Sequence, residues 1–512
     1  MQTLFSIAQI RQIEHAAPLP PTELMQRAAQ AVTQWLQQRL HAGQSVLFLA
    51  GPGNNGGDAL LAATLLAKVC PTIFIQVWLA AHPEKLPYEA AYAYAAAQQQ
   101  QSSHLQINIL ADNAGVPTCS NVPDWIVDGL FGIGLTRAIE GRDAQLLEYA
   151  QQQANQGAKI LALDVPSGLN ADSGHAVNGL MANSAILHAD HTLTMIGLKP
   201  GFYMVGGRDY TGEIHLNDLG IPAYCLPQPC AILNELALFQ AALPCRYHRH
   251  HKGSHGSLAI IGGRAGMVGA PLLCARTALF GGAGKVQVGL LHQTNLDVDI
   301  LYPELMLTLA NALRLEDYQT LLLGPGMGSI GTEWIASALE QVAPCVLDAD
   351  ALNQIAASPL LRQSLAARGS QNKVTILTPH PLEAARLLAC SVDAVQKARV
   401  DVAAKMAQQF KATIVLKGSG TVIAAEGEQI VINPTGNGAL ASAGTGDVLA
   451  GLIAALLVQG MPSYLAACAG VWLHGQAADD LVADGQGPVG LNASALAAAI
   501  RQRLNFPKKI VI

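Results

Sequence analysis

The chain has 512 residues, 51% of them hydrophobic, a formal net charge of −6 and 9 cysteines. That length exceeds what one ordinary core supports, so two domains are expected, and the negative balance gives no electrostatic case for nucleic acid. Scattered cysteines, odd in number, fit reduced thiols in a cytoplasmic protein; no signal-peptide pattern surrounds Arg11, Glu14 and His15, and the longest apolar run, Val448 to Val458, is shorter than the ~20 residues of a membrane-spanning helix.

Residues 23 to 39 carry an amphipathic helical pattern, and Ser45 to Ala50 reads as a short buried strand. The loop Gly51-Pro-Gly-Asn54-Asn55-Gly56-Gly57-Asp58 follows, then an alanine- and leucine-rich helix. Strand, glycine loop and helix form the first unit of a doubly wound α/β sheet. Gly51, Gly53 and Gly56 have the spacing of a dinucleotide fingerprint, but the next strand, Thr72 to Leu79, ends without an acid for a ribose hydroxyl. The amides of Asn54 and Asn55 suit a polar ligand with a bound cation instead. No lysine-bearing phosphate loop occurs. Two further strands run into Asp128-Gly-Leu-Phe-Gly132-Ile133-Gly134-Leu135-Thr136-Arg137-Ala138 and Asp164-Val-Pro-Ser167-Gly. Singly, these acids read as turn residues. Three polar loops at three strand ends read as one site, because ligands of parallel sheets gather there.

Between Ile221 and Gly256 prolines accumulate and the pattern loosens, which places the domain boundary at 225/226. His248, His250, His251 and His255 have no cysteine or carboxylate partner at metal-ligand spacing, so a solvated basic segment is expected. Beyond it, strand after strand ends in a polar or glycine-rich turn: Ser257 to Gly263, Lys285 to Leu290, Thr320 to Gly328, Pro344 to Asp350, Val374 to Glu383 and Ala412 to Thr421. Gly269-Ala270-Pro271 opens a helix. These turns line one edge of an α/β sandwich. Lys417-Gly418-Ser419-Gly420-Thr421 offers a cation and pliable backbone for phosphates. Asp348 and Asp350 read as turn-shaping acids, and His380 as either a substrate contact or a helix cap.

The stretch Gly444-Thr-Gly446-Asp447 precedes a long apolar helix. The first N–H groups of a helix lack internal partners and carry partial positive charge, so this turn seats a phosphate or oxyanion. Asp447 stands beside that seat, placed to take a proton from a hydroxyl.

Together, Asn-Asn-Gly-Gly-Asp, Val-Asp-x-x-Phe-Gly-x-Gly and Asp-Val-Pro-Ser-Gly resemble the NAD(P)H-hydrate epimerase domain over about residues 1 to 220. Gly-Pro-Gly-x-Gly, Thr-Pro-His-Pro and Gly-Thr-Gly-Asp, in that order, resemble the nucleotide-dependent NAD(P)H-hydrate dehydratase domain over about 226 to 505. The implied architecture is an N-terminal Rossmann-like doubly wound sheet, residues 1–225, followed by a ribokinase-like α/β/α domain, residues 226–512.

The resemblance also implies roles. Asn54 to Asp58 and Gly132 to Ala138 would hold the hydrated nicotinamide cofactor, with Asp164 the acid/base group at the hydrated carbon. Asn55, Asp128 and Ser167 would coordinate potassium, a hard cation suited to oxygen donors. In the second half Ala270, Gly326, Gly328, His380 and Asp447 would contact the hydrate, and Lys417 to Thr421 with Gly446 would hold ADP, which is expected with magnesium. Asp447 would activate the hydroxyl for attack on the terminal phosphoryl group, and loss of phosphate would restore the dihydronicotinamide. Two positions depart from the pattern: Gln26 stands where glutamate is expected, and Leu382 where glycine is common. A cytoplasmic homo-oligomer is the expected form. The rival readings are a small-molecule kinase and an enzyme in which one half only binds.

Overall fold

In the computed structural model, residues 1–100, 103–110, 115–177, 186–294 and 296–505 are described. The chain divides into two compact units, Gln2–Cys230 and Ala231–Ile512, the latter also counting Met1.

The first unit contains β1 (Thr3–Leu4), β2 (Ser45–Ala50), β3 (Phe74–Leu79), β4 (Leu105–Ile109), β5 (Trp125–Gly129), β6 (Lys159–Leu163), β7 (His191–Met195) and β8 (Glu213–Asn217). Seven of these form a sheet in the order β4-β3-β2-β5-β6-β7-β8, parallel throughout. The order in which strands are added reverses between β2 and β5, and the crevice above such a switch point is where open α/β sheets bind ligands. The strand interiors are near-continuous apolar runs, Val46 to Ala50 and Ile126 to Val127 being almost fully buried, because helices cover both faces. The amphipathic segment forms the helix Pro21–Gln37, which buries Val32, Trp35 and Leu36 on this sheet.

The second unit contains β9 (Ala231–Leu233), β10 (Ser257–Gly262), β11 (Lys285–Leu290), β12 (Met306–Leu309), β13 (Thr320–Leu323), β14 (Cys345–Leu347), β15 (Thr375–Leu377), β16 (Thr413–Leu416), β17 (Val422–Ala424) and β18 (Val431–Ile432). Its strand order is β9-β18-β17-β16-β15-β14-β13-β10-β11-β12. From β12 to β16 the pairing is parallel, and β17 runs antiparallel to both neighbours. Here the switch point lies between β10 and β13. The apolar run becomes the helix Thr445–Val458, buried from Val448 to Val458 inside the core. Among the described residues no helix is long and apolar enough to cross a membrane.

Candidate active sites

In the first unit the loop after β2 is held tight by close approach. A methyl group on Gly56 would lie 2.0 Å from the Gly51 carbonyl oxygen, and one on Gly51 1.8 Å from that of Leu130, so neither position tolerates a side chain. Gly57 is buried against Met25. The helix Asn54–Val69 therefore starts directly above the switch point, presenting Asn54, Asn55 and Asp58 to a cavity of about 670 Å³. Gly132 to Arg137 and Asp164 line the same cavity, together with Arg11, Glu14 and His15 from the helix Ile7–Ala16. Ala138, Gly56 and Gly57 fall outside the lining, and Gln26 bonds Tyr92 away from it.

Asp164 is the focus of this cavity. Its φ of 62° is unusual for a side chain with Cβ and marks a backbone held in place by its surroundings. Its N–H donates to Leu193, and Oδ1 accepts from Met195 N–H at 3.2 Å and from Lys199 Nζ at 2.5 Å. Lys199, absent from the sequence expectations, is fully buried; its ammonium also donates to Thr194 Oγ1 and the Met195 carbonyl. Asp58 is pushed well above the usual carboxylate range by burial, then by the charges of Asp164 and Glu14. Burial and Asp164 likewise raise Glu14. The cavity thus sets two carboxyls that favour their protons against one fixed by a cation, a pairing suited to moving a proton in both directions.

Asp128 and Ser167 meet at the base of the same loops. Ser167 donates its hydroxyl to Asp128 Oδ1 at 2.7 Å and its N–H to Oδ2 at 2.8 Å, and Phe131 N–H donates to Ser167 Oγ. Asn55 donates through Nδ2 to the Leu163 carbonyl, and its side chain lies against Gly132. The set offers only oxygen donors. Burial raises the Asp128 carboxyl to about 6 despite the Ser167 and Leu130 hydrogen bonds, so its anion lacks full compensation there. Both features fit a hard monovalent cation.

The second unit assembles its cluster at the carboxyl ends of β13 to β16. Lys417, closing β16, donates to Asp348 Oδ1 at 2.7 Å; Thr378 donates its hydroxyl to the same oxygen. Burial works against the Lys417 charge, but Asp348, Glu383 and Asp447 outweigh it and raise the ammonium. Beneath this turn lies Arg399, 2% exposed, donating to the carbonyls of Leu416, Lys417 and Gly420; burial lowers it to about 10. Thr421 donates to the Gly418 carbonyl and completes the Lys417–Thr421 turn, with Ser419 exposed at its tip.

Gly444, at φ 87°, turns the chain into the helix Thr445–Val458. A methyl group on Gly446 would lie 3.6 Å from Lys417 Nζ, so the helix start and the lysine border one space. Asp447 stands in that first turn. Burial, then Asp348, raise it to about 7 against the pull of Lys417, with Asp350 adding to the rise. Buried His474, lowered to about 4 by burial, donates Nε2–H to the Thr445 carbonyl at 2.9 Å and braces the turn.

His380 caps the helix Pro381–Leu388. Its Nδ1 accepts from Leu382 and Glu383 N–H, and Nε2 meets Glu383 Oε1 at 3.2 Å. Burial lowers its proton affinity, as Lys417 also does. The capping role weighed from the sequence is therefore real, and the His380 side chain remains half-exposed. Leu382 supplies a cap N–H, which its departure from glycine does not prevent. Gly326, at φ 63°, lies against Ala270 and Met267. Gly328 donates its N–H to Asp350 Oδ2 at 2.7 Å. Of the carboxylates at this sheet end, Asp348 accepts from Lys417, Asp350 from the Gly328 N–H and Glu383 from the His380 N–H, while Asp447 stands in the first turn of its helix.

Comparison with known proteins gives a family profile described as NAD(P)H-hydrate dehydratase over residues 258–502 and one described as YjeF-related protein N-terminus over residues 21–201. The chain is 38% identical over 472 residues to the bifunctional NAD(P)H-hydrate repair enzyme of Escherichia coli (strain K12), covering 90% of this chain and 85% of that one. It is 43% identical over 272 residues to the ADP-dependent (S)-NAD(P)H-hydrate dehydratase of Neisseria meningitidis, 51% of this chain and 90% of that one. Among solved structures, the ADP/ATP-dependent NAD(P)H-hydrate dehydratase of Bacillus subtilis, co-crystallised with ATP/Mg2+, matches with TM-score 0.46 and 30% identity over 54% of this chain and 97% of that one. The whole-length likeness and the two domain profiles agree: this chain belongs to the family of bifunctional NAD(P)H-hydrate repair enzymes.

Proposed function

We propose that the first unit, Gln2–Cys230, interconverts the two epimers of hydrated NADH or NADPH, and that the second, Ala231–Ile512, dehydrates one of them at the expense of ADP. The observation that carries the second half is Asp447. A carboxylate raised to about 7, at a helix N-terminus beside a buried lysine, is matched to general-base work at neutral pH. It takes the proton of the hydrate's hydroxyl, whose oxygen attacks the terminal phosphorus of ADP and displaces AMP. Lys417 and the Gly446 N–H face the charge that develops on the phosphoryl oxygens. Phosphate then leaves the nicotinamide carbon, driven by the ring nitrogen's lone pair, and a proton lost from the neighbouring carbon restores the double bond. Magnesium would travel with the nucleotide, held chiefly by phosphate oxygens and water.

In the first unit, Asp164 moves the proton at the hydrated carbon. Lys199 aims it through the contact at 2.5 Å, while Glu14 and Asp58, whose carboxyls burial raises, stand in the same cavity. Asn54, Asn55 and the Gly132–Arg137 segment hold the ligand. Asn55, Asp128 and Ser167 would hold potassium, which neutralises the buried Asp128 and fixes the loops around the ligand. A homo-oligomer in the cytoplasm, and action on both NADH and NADPH hydrates, belong to the same reading.

The test is stoichiometric. Hydrated NADH and ADP are incubated with the chain, and restored NADH, AMP and phosphate are quantified. One AMP and one phosphate per NADH supports the reading. A stable phosphorylated organic product would make the second unit a small-molecule kinase instead.

A further inference from the structure

The edge of the first unit's sheet carries a second cluster, on strands β7 and β8. In the parallel register His191 stands beside Glu213, and Leu193 beside His215. Side chains alternate along a strand, so His191, Glu213 and His215 project from one face. His191 Nδ1 and His215 Nε2 are 3.3 Å apart, Glu213 Oε2 lies 3.5 Å from His191 Nδ1, and Glu213 Oε1 lies 3.8 Å from His215 Nε2. Among the described residues this is the cluster whose three ligand atoms approach within 4.8 Å of one another.

A tetrahedral zinc ion with bonds near ~2.05 Å sets its ligand atoms about 3.4 Å apart; the two nitrogens stand at 3.3 Å, and Glu213 reaches one through each of its oxygens, at 3.5 and 3.8 Å. We propose that His191, Glu213 and His215 form a site for a divalent transition ion of the zinc class, pinning the edge strand β8 to β7. Two nitrogens and a carboxylate oxygen make a borderline donor set that favours such ions over magnesium or calcium. Three protein ligands leave a fourth position for water, and the Glu213 side chain, 68% exposed, opens the site to solvent. The imidazoles are packed by Trp35, whose indole lies 5.0 Å from one ring and 5.3 Å from the other, so both are oriented before an ion arrives. Arg39, stacked on Trp35, opposes a cation, and Glu213 and Asp190 offset it.

The site has a structural consequence. β7 carries Thr194 and Met195, which bond Asp164 and Lys199, and β8 is its outer neighbour. Clamping β8 onto β7 stiffens the strand that supports the first unit's proton-moving pair.

The full chain, stripped of metal by dialysis against a chelator, is titrated with Co2+ and then with Zn2+. The proposal expects one equivalent of Co2+ with the visible bands of a tetrahedral nitrogen–oxygen site, displaced by Zn2+, and a higher thermal midpoint when zinc is bound. Glu213→Gln and His215→Gln should each weaken that equivalent at least ~10-fold. The double variant His250→Gln/His251→Gln should keep it, because those residues lie in the separate histidine segment. Absence of any bound equivalent, unchanged affinity in Glu213→Gln, or a thiolate charge-transfer band in place of the expected spectrum would overturn it. Glu213 lies mostly in solvent, so its variant reads binding without a folding defect.

Discussion

Lys199 Nζ lies 2.5 Å from Asp164 Oδ1, with the lysine side chain fully buried and the aspartate φ at 62°. The residues are 35 apart in sequence and meet because β6 and β7 are neighbours. Lys199→Met should therefore cut epimer interconversion by about 10²-fold or more. The KM for the hydrate should change less than the turnover, since Lys199 holds Asp164 rather than the ligand. Dehydration of the preferred epimer should be kept. An unchanged epimerisation profile in the variant would remove Lys199 from the mechanism.

The Lys417–Asp348 pair separates stability from chemistry. Asp348 is 1% exposed, so Lys417→Met leaves a buried carboxylate with Thr378 as its remaining side-chain donor. Breaking such a pair from one side costs about 3 kcal/mol. Dehydration should fall and the KM for nucleotide should rise. The double variant Lys417→Met/Asp348→Asn should recover much of the thermal midpoint and none of the dehydration. Recovery of both would assign the pair to folding alone.

Potassium should matter to one half only. Asp128→Ala removes the buried carboxylate that burial raises to about 6, and epimerisation should drop and lose its dependence on potassium. Dehydration assayed on the preferred epimer should not change. Equal wild-type epimerisation in potassium and in an ion-free buffer of matched ionic strength would refute the assignment.

Asp447 ties activity to instability. Its carboxyl rises from an ordinary 3.8 to about 7, so the folded chain holds a proton there that the unfolded chain has lost. Stability therefore falls as pH rises from about 4 to 7 and levels off above. Over the same range the ionised base forms, so dehydration should climb with pH through about 7. Asp447→Asn should lose ~10²–10⁴-fold in dehydration rate and that pH limb. Its thermal midpoint at pH 8 should be higher, and nucleotide affinity little changed. A lower midpoint would show that the loop needs the charge to fold.

Much of this was legible in the sequence because it is local. The loop Gly51 to Asp58, the turn Gly444 to Asp447 and the apolar strands before them each declare a strand–turn–helix unit within twenty residues. The strand Ser45–Ala50 and the helix Thr445–Val458 emerge close to their expected bounds. What stayed hidden depends on strand order. Lys199 sits in Leu-Lys-Pro-Gly, without a motif, and matters only once β7 lies beside β6. Arg399 lies on a helix whose spacing looks ordinary, yet it ties three carbonyls of the Lys417 turn from below. Asp348 looked like a turn former and proves to be the lysine's counter-ion. The antiparallel addition of β17 was likewise unannounced, since short apolar strands carry no direction. Glu14 and Arg11 reach the first cavity through a short N-terminal helix whose pattern alone does not say what it covers.

Complementation between the two halves separates their roles. A mixture of both hydrate epimers is treated with ADP and the wild-type chain, with Asp164→Asn, with Asp447→Asn, or with the two variants together, and the final yield of NADH is measured under conditions where spontaneous epimerisation is slow. Two separate sites should give full conversion by the wild type, arrest at the fraction held by one epimer for Asp164→Asn, almost none for Asp447→Asn, and full conversion when the variants are mixed. Full conversion by Asp164→Asn alone, or none from the mixed variants, would contradict that separation.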